Sequence, residues 1–472
     1  MTEPGTARPV DPRTFGDQPQ ELLWQSIEAS LAMPAGDVAE IQLAAVQKRF
    51  EELRGKLPPL ASLAAENGIA GIPDLNTAAR LLFKHSVYKS YPVSLIEKSR
   101  FDRMTQWLGN LTTQDLSGVK TAGLETIDDW LDALLRDAGL RIIHTTGTSG
   151  KLSFLPRGHA DAALQMRSGR LSLERIGGSE PRGLDKVPMI VVGSRTMFNG
   201  YGAQIEAFVR DLYGGDEALI HAMNPGRMSA DVLSLAGRLA AADNRGELGR
   251  SQVSPAILKR LDQFVEGQKT AAERRAQFFD ATFDKLSGQR IIMTGNWGMY
   301  CEMLDSGRKR GLRQVFAPES CFVCAGGDKG KALPDGHRGD IAAFLGIPEM
   351  PESYGMSEMS ALMPKCAGGN YHALPWMLVF VLDAETGQPA PRSGTHTGRF
   401  GVIDLSYQTR WGGVLSGDEV TMTFGKCACG IEGPHIGTVR RYSATEGGDD
   451  KITCAGAPQA HDNALAFLAE LS

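Results

Sequence analysis

Apolar positions in the first third of the chain recur mostly at helical spacing. Leu22, Leu23, Ile27 and Leu31 fall on one face and predict helix within residues 21–54, with Pro58 and Pro59 as the interruption. A mixed segment runs on to about Asp115, and residues 127–137 predict a short amphipathic helix. The pattern then changes. Residues 140–143, 188–193, 290–293, 321–325, 376–382 and 398–405 are short apolar runs of strand length, several ending at Gly-rich turns. Between them, residues 229–286 are dominated by Ala, Leu, Arg, Glu and Gln and predict helix. Strands alternating with helices predict an α/β architecture with a substantial sheet.

Composition narrows the function classes. A net charge of -5 over 472 residues offers no basic excess for gripping nucleic acid. No apolar run approaches the length of a membrane span, so no membrane partner is expected. Residues 1–15 are polar and lack an apolar h-region, which predicts a tail and not a signal peptide. Seven cysteines without an export signal point to a reducing, cytoplasmic setting and away from a disulfide framework. Oligomeric state is not legible.

Candidate chemistry begins at His144-Thr-Thr-Gly-Thr-Ser-Gly-Lys-Leu-Ser153, where the predicted strand at 140–143 runs into hydroxyls and glycines. Glycine lets backbone N–H groups approach a polyphosphate, and Ser and Thr hydroxyls add donors. Alone, such a cluster is more often a plain turn, and the Walker spacing is absent. Order along the chain adds to it. Ala325-Gly-Gly-Asp-Lys329 follows a short strand, then come Ser353-Tyr-Gly-Met-Ser-Glu358, Ser416-Gly-Asp418 and Arg440-Arg441.

This ordered set resembles the core motifs of the adenylate-forming superfamily, which holds acyl-CoA synthetases, peptide-synthetase adenylation domains and luciferases. The branch it is most similar to contains phenylacetate–CoA ligases and long-chain acyl-protein synthetases. The resemblance covers about residues 80 to 456 and implies the large N-terminal domain of such enzymes, in layered mixed sheets and helices. It divides the chain into a polar tail (1–20), a core (21–441) and a hinge-like segment with a short stub (442–472), the small C-terminal domain being absent or vestigial.

Carried over position by position, the resemblance implies ATP and Mg²⁺ as cofactors. Thr145, Thr146, Gly147, Thr148, Ser149 and Gly150 would hold phosphates, with Lys151 shifted from the usual Gly-x-Pro-Lys place. Gly326 and Gly327 would flank the adenine and the acid pocket, and Tyr354 and Gly355 would pack on the adenine. Ser357 would touch the α-phosphate, Glu358 would ligate Mg²⁺, and Asp418 would accept from the ribose hydroxyls with Arg441 beside it. A carboxylate attacking phosphorus is anion meeting anion, so a cation and preorganised donors are what the chemistry needs. Singly, Glu358 and Asp418 could be solvated loop acids and Tyr354 a core aromatic.

Two further features stand apart. Cys366, His372, Cys427 and Cys429 supply the Cys₃His donor set of a closed structural Zn²⁺ site, alternatively three ordinary thiols and a histidine. Cys454 matches the near-terminal cysteine that accepts the acyl group in acyl-protein synthetases, and is alternatively an inert thiol. The expected activity is formation of acyl-AMP from a carboxylic acid, then transfer to a thiol, either Cys454 or that of an acceptor such as CoA, a carrier protein or a reductase. A conventional aryl- or fatty-acid CoA ligase and a catalytically silent, zinc-stapled nucleotide-binding protein are the alternatives. Tyr201, Trp297, Tyr300 and Met356, with Phe198 and Met299 nearby, predict an apolar, partly aromatic acid pocket, though any one of them could be core.

Overall fold

The computed structural model describes residues 26–145, 151–176, 183–243, 271–324 and 333–441. The predicted sites at Thr146–Gly150, Gly326, Gly327 and Cys454 lie outside them, as does the side chain of Arg441.

The expected N-terminal helix is two, Ile27–Leu31 and Ala35–Leu53, because Pro34 cannot continue the first and instead precedes the second. Pro58 and Pro59 do not end a helix. They open Pro58–Glu66, where the first-turn amides have no partner to lose. The helix Ile127–Ala138 is fixed at both ends. Thr126 and Asp129 form a reciprocal capping box, and Gly139 ends the helix at φ +61°, a conformation glycine adopts without strain. Its Trp130, Leu131 and Leu134 are fully buried with Phe154, each contributing about 1.5–3 kcal/mol. Packed this way, the helix sets the position of the strand that follows it.

That strand, Arg141–His144, pairs antiparallel with Phe154–Arg157, so the strands on either side of the glycine-rich segment are partners. A second sheet is parallel, in the order Ile220–Arg227, Met189–Thr196, Ile292–Gly295, Cys321–Cys324. The third is mainly antiparallel and joins Tyr371–His372, Glu432–Arg441, Gly413–Lys426, Gly394–Asp404 and Met377–Leu382 in that order. Phe83–Lys84 pairs parallel with Gly413–Lys426.

All six residues of Met377–Leu382 are buried. Leu378, Phe380 and Leu382 pack with Phe50 and Leu53 of the N-terminal helix, while Met377, Val379 and Val381 face a second core with Trp376 and Met422. A strand covered on both faces has no reason to alternate, which is why it reads as a continuous apolar run. Among the described residues no helix is long and apolar enough to cross a membrane.

Candidate active site

Ligands of α/β sheets sit beyond the carboxyl ends of parallel strands. Three of the four parallel strands here deliver predicted site segments to that edge. Asn199 caps the helix Gly200–Ala207 just after one strand, its Oδ1 accepting from Gly202 N at 2.8 Å. Asn296 does the same after the next, accepting from Met299 N at 3.2 Å. The third, Cys321–Cys324, extends into a bridge between Cys324 and Glu352, with Cys324 N donating to Pro351 O at 3.2 Å. This bridge places the small hairpin Ser353–Tyr354/Met363–Pro364 beside the parallel sheet.

From that hairpin the site crosses to the antiparallel sheet. The Tyr354 hydroxyl donates to Asp418 Oδ2 at 2.8 Å across 64 positions of sequence. Asp418 sits in Gly413–Lys426, opposite Arg441 in the neighbouring strand. A Cβ on Gly355 would come within 2.5 Å of Leu362 Cδ2, so any larger residue here requires that side chain to move. The glycine-loop hairpin is tied in from the third side. Arg157, on its return strand, donates to Ser357 O at 2.9 Å and Met359 O at 3.2 Å.

Glu358 lies at the centre of these ties and is 9% exposed. Burial holds its carboxyl above the usual range, opposed by its own backbone N–H and by Arg410, with Asp418 pushing the same way as burial and Arg157 against it. A desolvated carboxylate near a second one is a donor set suited to Mg²⁺, which is commonly held by one or two carboxylates together with substrate phosphates. Glu358 would hold the ion, and the cation would offset the crowding of negative charge.

Other expected residues fall elsewhere. The Lys151 ammonium donates to Tyr91 O at 2.9 Å and lies over the Tyr91 ring, so it must leave that carbonyl to reach a phosphate. Trp297 and Tyr300 are buried in one core, and the Tyr300 hydroxyl donates between Met293 O and Val323 O, tying two parallel strands together. Tyr201 packs against a different core and Met356 against a third. The Tyr201 hydroxyl is buried without a hydrogen-bond partner.

The Cys₃His set is brought together. The Cys366 and Cys427 sulfurs are 3.9 Å apart, Cys429 Sγ is 3.3 Å from His372 Nε2, and all four donor atoms lie within 4.8 Å of one another. Thiolates bound to one tetrahedral zinc at about 2.3 Å stand about 3.8 Å apart, so the donors fit such an ion. Each half is a tight turn, closed by Gly369 N on Cys366 O and by Gly430 N on Cys427 O. Burial disfavours the charged form of Cys427, but the Cys429 N–H and the Asn370 amide donate to its sulfur and hold the thiol below its usual value. The reading of residues missed Arg157, Arg410, Asp404 and Tyr407. The only signal was an arginine at the end of an apolar strand run.

No protein-family model matches the chain, and no curated protein does. Among solved structures, 2-hydroxyisobutyryl-CoA ligase with 2-HIB-AMP and CoA in the thioesterification state is similar at TM-score 0.49 and 15% identity, over 88% of this chain and 70% of that one. ATP-bound MatB from Rhodopseudomonas palustris is similar at TM-score 0.34 and 17% identity, over 67% of this chain and 50% of that one. A long-chain-fatty-acid-CoA ligase from Archaeoglobus fulgidus is similar at TM-score 0.33 and 10% identity, over 68% and 57%. Likeness at this level assigns no chemistry to this chain.

Proposed function

We propose that this protein activates a carboxylic acid with ATP, forming acyl-AMP and pyrophosphate, and then passes the acyl group to a thiol. The observation that supports it is the pair of ties that draws three separated motifs to one place, Arg157 on the Ser357 carbonyl and Tyr354 on Asp418. One carries the glycine-loop hairpin to the Ser357–Glu358 segment, and the other carries that segment to the ribose acceptor.

In this reading the loop at 145–150 presents backbone N–H groups and hydroxyls to the phosphates, and Ser357 donates to the α-phosphate. Bound Mg²⁺ would offset the charge of the meeting anions. Asp418 orients the ribose, with Tyr354 holding the aspartate from the adenine side. The acid's oxygen attacks the α-phosphorus, and the bond to the bridging oxygen of pyrophosphate breaks. A thiolate then attacks the acyl carbon and AMP leaves. The thiol is that of CoA, a carrier protein or Cys454. Zn²⁺ held by Cys366, His372, Cys427 and Cys429 would be structural, since four protein donors leave no open position.

The test is carboxylate-dependent exchange of labelled pyrophosphate into ATP over a panel of aryl and aliphatic acids. Exchange with a subset of the panel supports the reading. Nucleotide binding with no exchange for any acid overturns it in favour of a silent nucleotide-binding protein.

A further inference from the structure

Residues 355–362 join two short strands and have almost no main-chain bonding of their own, the 3.0 Å bond from Met359 N to Met356 O being an exception. Charged side chains from distant elements supply what is missing. Arg157 donates to the carbonyls of Ser357 and Met359, and Arg410 donates to the Glu358 carbonyl at 2.7 Å. Asp404 Oδ2 accepts from Ser360 N at 2.6 Å. Four consecutive main-chain positions are thus held by three ions.

The ions are themselves fixed. The Arg410 guanidinium lies 3.8 Å from the Tyr407 ring centroid, with Arg157 at 5.4 Å from the same ring. Arg410 also donates to the Tyr88 hydroxyl at 3.2 Å, and Arg49 donates to the Arg410 carbonyl at 2.8 Å. Asp404 accepts from Ser406 N at 3.1 Å and from Ser406 Oγ at 2.6 Å. Arg157, Asp404 and Arg410 are each no more than 2% exposed. Burying three charges is costly, and apolar side chains of similar volume would anchor a loop at least as firmly. Ions with fixed hydrogen-bond directions do something apolar packing does not, which is to orient each peptide plane separately.

We propose that Arg157, Arg410 and Asp404 are positioning residues that set the main-chain geometry of Ser357 and Glu358, and through it the grip on the metal–nucleotide complex. The inference rests on the adenylating reading for its ligand but not for its geometry.

The experiment uses the full chain with Arg157→Lys, Arg410→Lys and Arg410→Met. Lysine keeps the charge without the fork, so a fold that needs only the cation survives it. Amide hydrogen exchange of the ligand-free proteins is followed by mass spectrometry, and nucleotide binding is titrated with Mg²⁺. The expected result in the lysine variants is exchange about tenfold faster at residues 355–361, with residues 377–382 unchanged. The half-saturating Mg²⁺ for ATP binding should rise about tenfold while binding of adenosine, which has no α-phosphate, stays within about twofold. Unchanged exchange at 355–361, or acceleration spread evenly over the chain, overturns the proposal. Wild-type protein that binds no ATP with Mg²⁺ overturns the adenylating reading and the metal role with it, and the exchange data then decide the geometry alone.

Discussion

The Tyr354 hydroxyl donates to Asp418 Oδ2 at 2.8 Å, joining the aromatic assigned to the adenine with the acid assigned to the ribose. Tyr354→Phe removes this bond to the aspartate. The variant should keep its fold and weaken AMP binding by about tenfold, and Asp418→Ala by about a hundredfold. Calorimetric titration with AMP measures both. Equal affinity in Tyr354→Phe and wild type would show that the hydroxyl does not orient the aspartate.

The sulfurs and imidazole within 4.8 Å of one another predict one zinc per chain in protein purified without chelator. Cys427→Ser should lose the metal and lower the Tm by about 5 °C or more, because ligand binding to the folded state is folding free energy. Elemental analysis and a thermal melt check the pair. Metal far below stoichiometry would remove the site.

His144, the residue before Thr145, is buried, and among the described residues neither ring nitrogen has a hydrogen-bond partner. Burial, then Arg227 and Arg141, bring its pKa down from 6.5 to about 4. A histidine depressed in the folded state contributes stability that is full above the unfolded pKa and is lost as pH falls toward the folded one. Between about pH 6.5 and 4 this residue should cost the protein about 3 kcal/mol. His144→Phe should flatten that part of the stability–pH curve, measured by urea unfolding at a series of pH values. A curve as steep as that of wild type would reassign the loss to other groups.

Cys454 lies outside the described residues, and its part is tested chemically. Incubation with ATP and a labelled acid that supports exchange should leave hydroxylamine-labile label on the wild type and none on Cys454→Ser. Label of equal amount on both would send the acyl group to another thiol.

Much of the fold was legible where burial is two-sided or an apolar face recurs at helical spacing. Met377–Leu382 announces itself because both faces are covered, and Ile127–Ala138 because its Trp130, Leu131 and Leu134 fall on one buried face. The long strands Gly413–Lys426 and Glu432–Arg441 escaped, since they carry glycines and half-exposed polar residues that read as loop. The thiol and imidazole donors were found by their chemistry across 61 positions. Trp297 and Tyr300 show the opposite limit, because composition cannot tell an aromatic that lines a pocket from one that fills a core. Arg157 and Arg410 had no motif to betray them, as their partners are main-chain carbonyls that any sequence supplies.

The hairpin holding the glycine loop is complete early in the chain, whereas Asp418 and the second half of the cysteine cluster come late. On the ribosome the glycine-rich segment therefore emerges well before the strand that carries Asp418. In the adenylating reading, a nascent or truncated chain that stops short of Gly413–Lys426 has the proposed phosphate loop and lacks the proposed ribose acceptor. On that reading, nucleotide retention is expected only of a chain translated past that strand.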